Sequence, residues 1–248
     1  MTQGDIGDIF ILGHRGTKGP LENTIPAFRR ALNHCHGIEF DVRITMDGKL
    51  VPLHEGVFTV DGRQYRVELL TYGELVKLHP LGKLIPTLDR VLKLRPGVVN
   101  ADLKDINALE PLLSSLERRK ILGRTVISTD VPDWINMVKK ECPDCKVGLS
   151  VTSARNLFQS LGFESYSIHV PLDLIGYIGF RGFLTLLTLY RRKKKKVWLW
   201  NYRMNELSLV PKFMLLVDAV ISDDPARLKK FIAPRRTEVE ATLYVGEG

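Results

Sequence analysis

Along most of this chain, short and almost wholly apolar runs alternate with stretches of helical periodicity, and that alternation restricts the fold more than any other feature. The runs are DIFILG, GIEFDVRI, KLVPLHE, GVVNADLK, RTVISTD, KVGLSV, YSIHVP, KVWLWNY and DAVISDD. Helical candidates are NTIPAFRRALNH, IPTLDRVLKL, INALEPLLSSLERRK, DWINMVKKE, GFLTLLTLYRRKK and PARLKKFI. Strands that are apolar on both faces belong to a parallel sheet covered on both sides by helices. About eight such units in 248 residues predict a (β/α)₈ TIM barrel rather than an open doubly wound sheet. Nine candidate strands are one too many, so one is a short extra piece. Only RITMDG, with its Asp-Gly turn, separates IEFDV from KLVPLHE, and the barrel is expected to be irregular around strands 2 and 3. No linker or low-complexity stretch divides the chain, which is read as one domain over 1–248.

A parallel barrel builds its site from the C-terminal ends of its strands. The first run ends in Gly13-His14-Arg15, and the second carries Glu39 and Asp41. Residues two apart on a strand share a face, so both carboxylates project together. They repel unless a cation intervenes, and a hard divalent ion such as Mg²⁺ or Ca²⁺ prefers oxygen ligands. The third run ends in His54-Glu55, and the fourth sets Asp102 and Lys104 two apart. A late run places Trp198 and Trp200 two apart before Asn201, and the last ends in Ser222-Asp223-Asp224. The glycines around His14 permit a tight turn and a close backbone approach to a phosphate. Asn23 or Thr24 caps the helix that follows, with Pro26 in its first turn. His34-Cys35-His36 has metal-ligand residue types but falls at the end of that helix, at the opposite end of the barrel.

The formal charge of +8 favours anionic partners, and much of the excess sits in RRKKKK, residues 191–196. No nucleic-acid-binding motif accompanies it, so nucleic acid is not expected as a partner. Three cysteines, Cys35, Cys142 and Cys145, make no disulfide framework, and CPDC is read as structural. A polar N-terminus, MTQGDIGD, does not look like a signal peptide, and a cytoplasmic location follows as the expectation. The apolar stretch 172–190 is interrupted by Asp173 and Arg181 and is too broken for a membrane span. It is read as a strand, loop and core-facing helix, the alternative being an apolar lid in transient contact with a membrane surface.

Taken in order, GHRG, ENT, AF, IEFDVRITMDGKLVPLHE, IPTLDRVL, NADLKD, VWLWN and DAVISDDP resemble the glycerophosphodiester phosphodiesterases, over about residues 9–231. The resemblance implies a phosphodiesterase barrel that uses one divalent cation, held by Glu39, Asp41 and Asp102. It implies His14 and His54 as general acid and general base, with Arg15 and Lys104 on the phosphate oxygens. Trp200 is then a wall for the glycerol or head group, and Glu22 and Asn23 orient His14. Histidine titrates near neutrality and serves either proton-transfer role. Where the family usually has Glu-x-Lys this chain has Asp102-Leu103-Lys104, and where it has His-Asp this chain has His54-Glu55. Its Trp-Thr-x-Asn motif is also altered here. The expected substrate is a small phosphodiester. The alternatives are a related barrel enzyme acting on lysophospholipids or phosphoinositides, and, more distantly, a non-enzymatic anion-binding protein. Oligomeric state and head-group preference stay open.

Overall fold

The computed structural model describes residues 9–232. The polar N-terminal stretch 1–8, on which the signal-peptide reading rests, lies outside the described residues.

The main elements are β1 (Phe10–Gly13), α1 (Ile25–Leu32), β2 (Gly37–Ile44), β3 (Leu50–Val51), β4 (Val57–Val60), β5 (Arg63–Arg66), α2 (Tyr72–Leu78) and α3 (Leu88–Leu92). They continue with β6 (Val98–Leu103), α4 (Leu109–Arg118), β7 (Thr125–Thr129), α5 (Pro132–Glu141), β8 (Lys146–Ser150) and α6 (Ala154–Ser160). The last are β9 (Ser167–Pro171), α7 (Ile175–Arg192), β10 (Lys196–Trp200), α8 (Glu206–Leu209) and β11 (Ala219–Ser222), before a helical segment over 225–232.

Eight strands pair in parallel in the order β1-β11-β10-β9-β8-β7-β6-β2, and β1 pairs with β2 to close the ring. This is the expected (β/α)₈ barrel. The surplus run is the third, KLVPLHE, which supplies β3 and pairs antiparallel with β2 outside the ring. His54 therefore follows no barrel strand. It sits in an excursion between β2 and β6 that also holds a β4–β5 hairpin, α2 and α3. The excursion has its own apolar cluster of Val51, Leu53, Phe58, Val67, Leu75 and Ile85. Its hairpin turns at Asp61 and Gly62, both with φ near the left-handed region (49° and 74°), as a two-residue hairpin loop requires.

The barrel strands are buried almost end to end, and Phe28 and Ala31 of α1 with Leu112 and Leu116 of α4 cover them from outside. At about 25 cal/mol per Å² of apolar surface removed from water, this sheet–helix layer is the dominant favourable contribution to folding. Helix α7 connects β9 to β10 and buries Phe183, Leu187 and Tyr190, the core-facing part of the expectation. By length and composition, Leu172–Arg192 is apolar enough to cross a membrane, yet it is a crossover helix of the barrel. Only 17% of its most apolar window is buried, so its other faces remain outside the core.

One cysteine expectation is corrected. Cys142 and Cys145 are joined by a disulfide, because the turn after α5 brings their Cα atoms to 5.4 Å, within bonding reach. Cys35 is free. His34-Cys35-His36 forms the connection from α1 to β2, where His36 Nδ1 accepts the Ile11 backbone N–H.

Candidate active site

The pocket opens at the C-terminal mouth of the barrel, where a cavity of about 150 Å³ is lined by residues from both the ring and the excursion. Two strand registers assemble its acidic floor. Asp41 of β2 stands directly beside Asp102 of β6, and Glu39 beside Asn100. Asp102 is beside Ser128 of β7, whose hydroxyl donates to Asp102 Oδ1 at 2.7 Å. The two-residue period of a strand thus puts Glu39, Asp41, Asn100, Asp102 and Lys104 on inward faces.

Glu39, Asp41 and Asp102 each offer an oxygen within 4.8 Å of the others. Aspartate at 102, one methylene shorter than the family's glutamate, still joins the cluster. Burial, then the Asp41 charge, raises the Glu39 carboxyl to about 7, against the opposing pull of His14 and Arg15. Two cations answer the carboxylates. Arg15 Nε is 3.1 Å from Asp41, and Lys104 Nζ is 2.5 Å from Asp102 and 3.8 Å from Asp41. Despite burial, Asp102 and Asp41 hold the Lys104 pKa above its ordinary value. Three buried carboxylates against Arg15 and Lys104 leave one formal negative charge. An all-oxygen donor set with a residual negative charge fits a hard divalent cation.

His14 follows β1, and its Nδ1–H faces Asp223 Oδ1 at 2.6 Å, while Nε2 is 4.0 Å from Glu39. Burial alone would depress the imidazolium. The Asp223 hydrogen bond and the Glu39 charge outweigh it, and the His14 pKa is raised. Asp223 is fixed in turn. Its backbone N–H donates to Glu206, a buried carboxylate that also accepts from the Ser222 hydroxyl, the Asp224 N–H and the Asn201 amide. Lys18 Nζ donates to the second Asp223 oxygen at 2.7 Å.

Arg15 itself adopts φ 49°, rare for a side chain of its size, and its backbone N–H donates to Glu39 at 2.9 Å. Such a conformation persists where surrounding contacts over-determine it. At Gly16 (φ 82°) a Cβ would stand 2.6 Å from the Ala27 backbone carbonyl carbon. A close backbone approach is thus made there to α1. Glu22 and Asn23 depart from expectation: Arg15 donates to Glu22 at 2.7 Å, and Asn23 Nδ2 donates to Asp41 at 3.0 Å. They hold Arg15 and Asp41, and it is Asp223 that orients His14. Thr24 is the N-cap by position, with Pro26 in the first turn, and its hydroxyl donates to Leu21.

His54 reaches the same pocket from the excursion, half exposed, with Nδ1 2.7 Å from Glu55. Its backbone carbonyl accepts from both Nε and Nη2 of Arg43, at 3.0 and 2.7 Å, and Arg43 Nη1 donates to the Lys104 carbonyl at 3.1 Å. Trp200 lines the wall, donating through Nε1 to the His169 carbonyl at 3.3 Å and meeting Tyr202 edge-on at 4.4 Å. All eight residues singled out in the sequence, His14, Arg15, Glu39, Asp41, His54, Asp102, Lys104 and Trp200, therefore line one pocket.

Sequence reasoning missed several supporting groups. Arg43 continues the Glu39-x-Asp41 spacing by two more residues, a signal that was available. Glu206 carries no local signature. His169, a buried histidine on β9, stacks on Trp198 at 4.7 Å with parallel rings and contacts Ser167 Oγ at 3.0 Å. Burial lowers its pKa to about 4. Gly148 on the neighbouring strand leaves the room, since a Cβ there would stand 2.7 Å from His169 Nε2.

The Glycerophosphoryl diester phosphodiesterase family model matches residues 14–227. A glycerophosphodiester phosphodiesterase of Caldanaerobacter subterraneus subsp. tengcongensis is 30% identical over 240 residues, covering 88% of this chain and 95% of that protein. Among solved structures, the glycerophosphodiester phosphodiesterase of Thermotoga maritima superposes with a TM-score of 0.73 at 24% identity, covering 90% of this chain and 98% of that one. An Oleispira antarctica phosphodiesterase in complex with the product sn-glycerol-3-phosphate gives 0.71 at 19% identity, covering 90% and 96%. With the site's residues in one pocket and the family match spanning them all, the chain belongs to the glycerophosphoryl diester phosphodiesterase family.

Proposed function

We propose that this chain hydrolyses glycerophosphodiesters to glycerol 3-phosphate and an alcohol, using a divalent cation held by Glu39, Asp41 and Asp102. The observation that carries the reading is the joint placement of His14, tied to Asp223 at 2.6 Å, beside that carboxylate cluster and the cations Arg15 and Lys104. The Caldanaerobacter relative supports it by name, and the Oleispira structure by its bound product.

Each histidine turns Nδ1 to a carboxylate, His14 to Asp223 and His54 to Glu55, and so keeps Nε2 for the substrate. His14, with its raised pKa, is the proton donor to the leaving alkoxide. His54 is left to accept the proton of the attacking hydroxyl, whether of water or of the substrate's own glycerol. Arg15 and Lys104 hold the non-bridging phosphate oxygens and offset the charge that builds on them in the transition state. Trp200 and Tyr202, set edge to face, present an aromatic wall to the glycerol carbons. Held by Glu39, Asp41 and Asp102, Mg²⁺ or Ca²⁺ would supply Lewis-acid polarisation of a phosphoryl oxygen.

A metal-supplemented screen of glycerophosphodiesters with different head groups tests the reading. Glycerol 3-phosphate and free alcohol are the expected products, and a cyclic phosphate would reveal attack by the glycerol hydroxyl. His14→Ala and Glu39→Gln are each expected to abolish turnover in a folded protein. Normal turnover in either variant overturns this assignment of the site.

A further inference from the structure

The charge of this chain is unevenly placed. Between Asp173 and Asp218 stand nine Lys and Arg residues against a single acid, Glu206, so this segment carries the whole formal excess of +8. Glu206 is buried under Asn201 and Ser222, so its charge is kept from the surface. The segment is α7, β10 and the turns that follow, one wall of the barrel.

The same wall carries apolar surface with no partner. Tyr177 is 86% exposed, and Ile178, Phe180 and Leu184 of α7 are also exposed, beside Leu215 at 66%. The inward stripe, Phe183, Leu187 and Tyr190, is already satisfied by the core. Gly179 breaks the helical backbone (φ 68°, ψ 168°) and sets Tyr177 and Ile178 off from the rest of the helix. Cations are interleaved with these side chains: Arg181 is exposed among them, and Lys212 Nζ stands 5.8 Å over the Phe180 ring. Toward the helix C-terminus the exposed residues become Arg192, Lys193 and Lys194, while Arg191 and Lys196 pair with Asp218. Apolar residues grading into cations along one outward face match the interface of an anionic bilayer, acyl boundary at one end and headgroups at the other.

We propose that the outward face of α7 docks this protein on an anionic lipid bilayer. The active-site mouth adjoins that face. Asp173, in the turn before α7, accepts the backbone N–H groups of Tyr202 and Arg203 at 2.7 and 3.2 Å, and Tyr202 lines the pocket. Docking thus brings the pocket rim, which adjoins the apolar end of α7, against the membrane surface. The proposal stands on exposure and charge, and does not depend on the reaction proposed above.

Vesicle co-sedimentation of the full chain tests it, with phosphatidylcholine vesicles against an equal mixture of phosphatidylcholine and phosphatidylglycerol. The wild type is expected to pellet with the anionic vesicles and to be released by raised salt. The double variant Tyr177→Ser/Ile178→Ser is expected to lose about tenfold or more in partitioning. The triple variant Arg192→Ser/Lys193→Ser/Lys194→Ser is expected to lose about fivefold per cation removed, on anionic vesicles only. Retained helical circular dichroism and thermal midpoint show that both variants fold. Failure of the wild type to pellet overturns the proposal, as does undiminished pelleting of the double variant. A dimer in sedimentation velocity that the double variant dissolves, with no vesicle binding, overturns it in favour of a second copy as the occupant.

Discussion

The Nδ1 atom of His14 lies 2.6 Å from Oδ1 of Asp223, 209 positions further along the chain. Barrel closure makes this contact, because β1 and β11 are neighbours and Gly13 is in register with Ser222. A carboxylate on one imidazole nitrogen fixes the tautomer and orientation of the other. Asp223→Asn is therefore expected to lower kcat by about 10²-fold or more with little change in fold. It removes an interaction that raises the His14 pKa, so the basic limb of the kcat/KM profile moves to lower pH. An unchanged limb would show that Asp223 does not tune His14.

Arg43 clamps the backbone carbonyls of His54 and Lys104 with three hydrogen bonds, joining the excursion to the ring. Arg43→Met leaves both carbonyls without this donor and loosens His54 from the pocket. The expected result is a loss of about 10- to 100-fold in kcat with a smaller change in KM, since positioning errors act on the reacting geometry. Arg43→Lys is expected to recover only part of it, because an ammonium does not reproduce the planar fork. Equal effects on kcat and KM would place Arg43 in substrate binding instead.

Divalent cation binding has a readout that does not involve turnover. An ion that binds only the folded state raises its stability by about 2.7 kcal/mol at a hundred times Kd. Mg²⁺ or Ca²⁺ is thus expected to raise the thermal midpoint of chelator-treated protein and to restore its activity. Asp102→Asn removes one of the three carboxylate charges and is expected to weaken both effects together. A midpoint insensitive to either ion would remove the carboxylate cluster from consideration as a cation site.

His169 makes stability depend on pH. Its folded-state value of about 4 lies below the ordinary 6.5, so between those values the unfolded chain binds a proton that the folded chain does not. Stability contributed by the neutral ring is complete above about pH 6.5 and is lost as pH falls toward 4, about 3 kcal/mol in all. Urea denaturation of His169→Gln is expected to show a shallower decline over that window, by up to about 1.4 kcal/mol per pH unit. Parallel declines in variant and wild type would show that the ring is already protonated when folded.

The barrel was legible because its signal is local and repeated. Parallel strands buried on both faces have to be continuously apolar, and the helices over them have to be amphipathic, so burial wrote both patterns into the sequence. Elements of the excursion were missed although two carried cues. Thr71 and Glu74 make a reciprocal capping box at the start of α2, and Asp61-Gly62 is a hairpin turn. Their exposed strands, such as RQYR of β5, lack an apolar run by which to be found. The Cys142–Cys145 bond was set aside on cysteine count, whereas local turn geometry decides it.

By itself, then, the sequence determined the fold class, through apolar runs alternating with 3.6-residue helical patterns, and which strand side chains share a face, through the two-residue period of a strand. Glu39 and Asp41 are on one face whatever the partner strand. Tertiary structure alone decided that Asp41 stands beside Asp102, that Asp223 reaches His14, and that Glu22 and Asn23 serve Arg15 and Asp41. Those pairings depend on strand register and ring closure, which couple positions far apart in the chain and leave no periodic trace along it. The exposed face of α7 is of the same kind. Its apolar residues read as core in the sequence, and only the packing of Phe183, Leu187 and Tyr190 showed which of them the core had left outside.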